Sequence, residues 1–211
     1  MKILFQGDSI TDASRTDRSE GQEGHLGEGY ALMVAGQLSA DEPGQHTFLN
    51  RGVSGNRIVD VYTRIKKDGW NLQPDVFSLL IGVNDVWHEM DGENGVDAER
   101  FERVYRMLLE DTLTRFPEMR FILMGAYLLH GAALDWCYDE AYNEVCRRAE
   151  IARKLAEEYH AAFIPLQEMF DEACRVQPAA YWVPDGVHPS CAGNQLIARA
   201  WIDAFHKLEK K

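Results

Sequence analysis

Val76-Phe77-Ser78-Leu79-Leu80-Ile81 is nearly all apolar. A short run without polar alternation fits a strand covered on both faces, the habit of parallel sheets. Working outward, four more short apolar runs read as strands: Lys2–Phe5, Thr47–Leu49, Phe121–Met124 and Ala162–Pro165. Between them lie longer stretches with apolar residues at helical spacing: Tyr30–Leu38, Ala98–Phe116, Tyr142–Tyr159 and Ala192–Leu208. In the second of these, Phe101, Val104, Tyr105, Leu108, Leu109 and Leu113 form a stripe that Pro117 ends. The alternation predicts an α/β fold, a parallel sheet with helices on both faces and right-handed crossovers.

At 211 residues the chain suits one domain, 1–211, and no repeat or linker divides it. Gly21–Gly29 and Asp91–Asp97 read as loops, and Glu144–Glu158 as a solvated helix face with local ion pairs. A net charge of −12 repels polyanions and anionic lipid, so neither nucleic acid nor a membrane is an expected partner. Met1–Phe5 is too short an apolar run for a signal peptide, and no stretch has the length of a membrane span. Cys137, Cys146, Cys174 and Cys191 lack the close pairing of a metal site and read as free thiols of a cytoplasmic protein. The histidines other than His188 form no ligand set, so neither metal nor cofactor is expected.

In parallel sheets ligands gather at the carboxyl ends of the strands. Ser9 follows the first strand, Gly55 the second and Asn84 the third, so connectivity alone brings them to one edge. Ser9, in Gly7-Asp8-Ser9-Ile10, has the setting of a nucleophile on a tight turn, although an N-capping serine would sit there equally well. Asp8 can brace that turn. Asp185 and His188 are close enough for the carboxylate to hold one ring nitrogen and stabilise the imidazolium formed during attack. A local Asp–His bond in a surface loop would look the same. In Gly82-Val83-Asn84-Asp85, read as the end of the third strand, the Asn84 amide can donate to an oxyanion or merely shape a turn. The backbone N–H groups of Ser9 and Gly55 can donate to the same oxygen.

Taken together the four segments resemble the SGNH, or GDSL-type, hydrolase superfamily, recognised by a Gly-Asp-Ser serine, a glycine, Gly-x-Asn-Asp and a late Asp-x-x-His. The matches fall in order at Ser9, Gly55, Asn84 and Asp185/His188. The resemblance implies a three-layer α/β/α fold of flavodoxin-like order with a five-stranded parallel sheet. It also implies serine esterase chemistry without metal or cofactor. Within the superfamily, the chain resembles intracellular bacterial acetylxylan esterases. The stretches that carry this are Phe5–Asp12, Gly27-Glu28-Gly29-Tyr30, Ile81–Trp87 and His188-Pro189-Ser190 with Ala192-Gly193. This implies a short-chain, acetyl-type ester of a carbohydrate such as a xylooligosaccharide, and a homo-oligomer. Asp8, Trp87 and Trp182 are the expected substrate-binding residues, the tryptophans as platforms for a sugar ring.

Three other readings compete. A lysophospholipase or thioesterase would need an apolar acyl groove, which no segment suggests. A phospho-receiver module would use Asp8 but leave Asp185 and His188 unexplained. A catalytically silent carbohydrate-binding relative would have no need of the Ser9, Asp185 and His188 set.

Overall fold

The structure, a computed structural model, describes residues 1–15 and 25–209. Five strands, β1 Lys2–Gly7, β2 Thr47–Asn50, β3 Val76–Leu80, β4 Arg120–Met124 and β5 Ala162–Ile164, form one sheet in the order β2-β1-β3-β4-β5. Every pairing is parallel, and β1 and β3 are joined in register from Ile3↔Val76 to Gly7↔Leu80. The order is the flavodoxin-like one, with the three inner strands β1, β3 and β4 hidden on both faces.

Because side chains alternate along a strand, the sheet feeds two cores. Ile3, Phe5, Val76, Leu80, Ile122 and Met124 point to one side. There they meet the helices α2 Tyr30–Asp41 and α9 Cys191–Glu209. Leu4, Phe77, Leu79, Phe121 and Leu123 point to the other. The helices on that side are α3 Ile58–Asp68, α5 Ala98–Arg115 and α6 Tyr138–Glu158. On α5 the expected stripe buries Phe101, Tyr105, Leu108 and Leu109. The single polar side chain of the quoted strand is also accounted for: Ser78 Oγ accepts the indole N–H of Trp201 on α9 at 2.8 Å.

Several features depart from the sequence reading. In the short helix α1 Ser9–Asp12 after β1, Asp8 and not Ser9 is the N-cap. Helix α3 buries only Ile58, Val61 and Ile65 among charged residues, too sparse a stripe to stand out. Gly82-Val83-Asn84-Asp85 does not end the third strand: β3 stops at Leu80, and Val83 opens the helix α4 Val83–Gly92. Gly82, with φ +135°, makes the break, and Asp85 in the first turn suits the positive end of that helix. That helix takes over the start of the Asp91–Asp97 loop. Two further helices, α7 Leu166–Ala173 and α8 Ala179–Trp182, precede the Asp185 turn. Arg148 is not on a solvated face; it is buried and donates to Val96 O at 2.8 Å. In the glycine-rich Gly21–Gly29 stretch, residues 21–24 lie outside the described residues. Glu28 N donates to Ala13 O at 2.8 Å. Among the described residues no helix is long and apolar enough to cross a membrane.

Trp201 is fully buried and stacks on Phe205, its ring 5.3 Å from that of Phe5. Trp201→Ala should therefore lower stability by about 3–5 kcal/mol, the cost of an unfilled core site. Trp136, 65% exposed, should tolerate alanine within about 0.5 kcal/mol. Urea unfolding of both variants checks the contrast; similar losses would contradict the placement of Trp201 as the keystone of α9.

Candidate active site

The residues that follow β1, β2 and β3, together with the turn before α9, meet above one edge of the sheet. Asp8 caps α1 by accepting Ile10 N–H at 3.0 Å, and Ser9 is the first residue of that one-turn helix. Asp12 N donates to Asp8 O and Ala13 N to Ser9 O, both at 2.8 Å, which closes the turn. Ser9 Oγ lies 2.8 Å from His188 Nε2, and His188 Nδ1 lies 2.7 Å from Asp185 Oδ2. The other Asp185 oxygen accepts the backbone N–H of Val187 at 2.9 Å and of His188 at 2.7 Å. One oxygen thus fixes the turn and the other fixes the ring.

The electrostatics follow from this geometry. Burial alone would raise the Asp185 carboxyl, but the bonds from the His188 ring, the His188 and Val187 backbone hold it down at about 2. The Asp185 hydrogen bond in turn raises the His188 imidazole above its ordinary value, against the opposing pull of burial. A serine hydroxyl bonded to a basic imidazole, itself oriented by a carboxylate, can be deprotonated as it attacks a carbonyl.

The Asp185 turn is seated on the segment after β4. Leu129 N donates to Gly186 O at 2.9 Å, Ala133 N to Asp185 O at 3.0 Å, and the Tyr127 hydroxyl to Val187 O at 2.9 Å. The two backbones touch through Gly131 and Gly186. A Cβ on Gly131 would stand 2.2 Å from Asp185 C, and Gly186 adopts φ +93°. Asn194, buried on α9, accepts Tyr30 N–H at 2.9 Å and donates to Pro189 O at 3.0 Å, so it joins α2 to the entrance of α9. These supports were missed from the sequence, because an isolated glycine, tyrosine or asparagine carries no spacing signal.

Gly55 lies in the turn after β2, at φ +79°, a conformation glycine adopts freely. Its N–H has no hydrogen-bond partner among the described residues. The turn is tied to α1: Asp12 Oδ2 accepts the Ser54 hydroxyl at 3.1 Å, and Asn50, at the end of β2, bonds Thr11 O and Gly52 N. Asn84, the second residue of α4, donates one amide hydrogen to Asn56 O at 3.2 Å. That leaves the second hydrogen of the amide.

Of the expected substrate contacts, Trp87 lies by the site, its ring 6.3 Å from that of His188. The Trp182 indole N–H is spent on Ala173 O and Gln177 O, which anchors α8 to the end of α7. Asp8 is fully buried, so it braces the Ser9 turn and has no surface to offer a substrate. An open groove of about 540 Å³ runs past Ser9 and His188 between Ser14, Glu28, Ser54 and Cys191. A larger hollow of about 700 Å³, along β5 and the end of α9, contains none of these residues. Among the described residues, no three His, Cys, Asp or Glu side chains gather as a metal ion would require.

Residues 5–196 match the GDSL-like lipase/acylhydrolase family. The chain is 33% identical over 207 residues to an acetylxylan esterase of Geobacillus stearothermophilus, covering 95% of this chain and 92% of that one. The crystal structure of that species' acetylxylan esterase Axe2 superposes with a TM-score of 0.86 at 33% identity, over 96% of this chain and 93% of the other. A candidate GDSL-like lipase from Parabacteroides merdae gives a TM-score of 0.91 at 40% identity, over 97% and 95% of the two chains. With the family matched along most of its length, the chain belongs to the GDSL-like lipase/acylhydrolase family and is a carboxylic ester hydrolase.

Proposed function

We propose that the protein is a serine esterase that removes short acyl groups, acetyl foremost, from hydroxyl-rich alcohols such as xylooligosaccharides. The observation that carries the reading is the unbroken chain from Ser9 Oγ to His188 to Asp185, with contacts of 2.8 and 2.7 Å. His188 Nε2 takes the Ser9 proton as Oγ bonds to the ester carbonyl carbon. The carbonyl electrons move onto its oxygen, which the N–H groups of Ser9 and Gly55 and the Asn84 amide stabilise. The tetrahedral intermediate collapses, the C–O bond to the alcohol breaks, and His188 returns the proton to the leaving oxygen. Water, deprotonated by His188, then repeats the sequence on the acyl-Ser9 ester and frees the carboxylic acid.

The substrate class rests on the groove. Ser14, Glu28 and Ser54 line it together with Ile10, Ala13 and Pro189. Of these, Ser14, Glu28 and Ser54 offer hydroxyl and carboxylate groups to an alcohol rich in hydroxyls. The likeness to an acetylxylan esterase supports the same choice.

Ser9→Ala should abolish ester hydrolysis, a loss on the order of a millionfold in kcat, while the urea midpoint stays where it was. A fluorophosphonate should label the parent and not the variant. A folded Ser9→Ala protein with near-normal turnover would remove Ser9 from the mechanism.

Only the neutral imidazole is a base, and His188 is held above its ordinary 6.5. kcat/KM should therefore climb with pH through a value above 6.5. Asp185→Asn removes the bond that raises it, so the climb should move to lower pH while the rate falls by a factor on the order of 10⁴. A profile flat between about pH 5 and 8, or a limb that Asp185→Asn leaves in place, would contradict the assignment of His188 as base.

Among p-nitrophenyl esters, acetate should give the highest kcat/KM, with a decline beyond butyrate. An extended acyl groove would instead gain about 0.8 kcal/mol per buried methylene. A specificity constant that peaks at octanoate or decanoate would replace this reading with a lysophospholipase or thioesterase.

A further inference from the structure

We infer that Asp85 is a positioning residue for the oxyanion donors: by accepting the Ile58 N–H it locks the turn that carries Gly55 to the helix that carries Asn84. The inference rests on the esterase reading above and assigns a task to a residue that the reaction scheme leaves idle.

Asp85 is completely buried. A carboxylate taken out of water needs compensating donors. Its two oxygens lie 3.0 and 3.3 Å from Ile58 N, and its own carbonyl accepts Val96 N–H at 2.9 Å. Burial raises the carboxyl to about 7, against the pull of the Ile58 N–H and of Arg148. The position of Ile58 gives this bond its meaning. Ile58 is the first residue of α3, where an N–H has no acceptor within its own helix, and it stands three residues beyond Gly55. Asp85 stands immediately beyond Asn84.

Two links therefore join the same two segments. Asn84 Nδ2 donates to Asn56 O at 3.2 Å, and Ile58 N donates to Asp85. The first is made by the oxyanion donor itself and is long. The second is made by a residue that hydrogen-bonds neither Ser9 nor His188 and is sealed in the core, where water does not compete for it. On its opposite side the Gly55 turn is tied to α1 through Asp12 and Ser54. The turn is thus clamped between the helix of the nucleophile and the helix of Asn84, with Asp85 as the inner clamp. Donors aimed at a transient oxyanion act only if they are held in place before the charge appears.

The test is steady-state kinetics on p-nitrophenyl acetate with full-length variants. Asp85→Ala should lower kcat about 10–100-fold and leave KM within about twofold, because the lost interaction acts in the transition state. Asp85→Asn keeps a carbonyl acceptor for Ile58 N–H and should stay within about fivefold of the parent. On an Asn84→Ala background the Asp85→Ala loss should shrink at least about threefold, since the donor it aligns is gone. Ile58→Pro removes the N–H at a helix position where proline is accepted, after Arg57, whose backbone is already extended (φ −100°, ψ 172°). Ile58→Ala is its control, with the side chain shortened and the N–H kept. Proline should cost at least about fivefold more in kcat than alanine.

Equal kcat for the proline and alanine variants overturns the inference, and does so even if Asp85→Ala fails to fold. So does an Asp85→Asn variant as poor as Asp85→Ala, an effect confined to KM, or a full-sized loss on the Asn84→Ala background. A Ser9→Ala protein that still hydrolyses the ester would sink the esterase reading itself; Ser9 dependence with a flat Asp85 and Ile58 series sinks only the clamp.

Discussion

The contact between Ser9 Oγ and His188 Nε2 closes a separation of 179 positions in the chain. No local propensity can make such a contact; the whole fold has to deliver it. One end is carried by β1, in the middle of the sheet. The other is carried by the turn before α9, which is placed by three tertiary supports. Trp201 anchors α9 on Ser78 of β3, Asn194 joins its entrance to α2, and the segment after β4 holds the Asp185 turn from beneath. An error of an ångström in any support would break a 2.8 Å hydrogen bond, so packing far from the serine holds this contact.

The same edge of the sheet is rich in buried acids. Asp8, Asp12 and Asp85 each accept backbone or side-chain N–H or O–H groups that would otherwise lie idle at a turn or helix start. Their burial is costly. Asp8 is pushed to about 7 by desolvation, and its Oδ2 has no hydrogen-bond partner among the described residues. A buried polar frame of this kind is rigid when satisfied and loses much when one member is removed. The arrangement trades stability for accurate placement, as sites that stabilise transient charge generally do.

The sheet was legible in the sequence because its strands are short, apolar and buried on both faces, and β3 above all could hardly be anything else. Helices α5 and α9 were legible from their stripes. Helix α3 was not, since its packing side shows only Ile58, Val61 and Ile65. Helix α4 was hidden by its start: Gly82-Val83-Asn84-Asp85 looks like the close of a strand, and nothing local says that Val83 already begins a helix. The candidate residues Ser9, Gly55 and Asn84 stood out because connectivity sends them to one edge, and Asp185 and His188 because of their spacing. Asp8 was misjudged as a substrate contact. Residue type suggests what a side chain can bind, whereas burial and hydrogen bonding decide whether it is free to do so.

The 179-residue span also orders events in time. On the ribosome Ser9 is made 179 residues before His188. While those residues are added, the growing chain carries Ser9 without the His188 imidazole beside it. The contact needs the turn before α9 in place, which Trp201 and Asn194 secure. A chain cut before His188 therefore keeps the serine and its turn but not the imidazole that faces it.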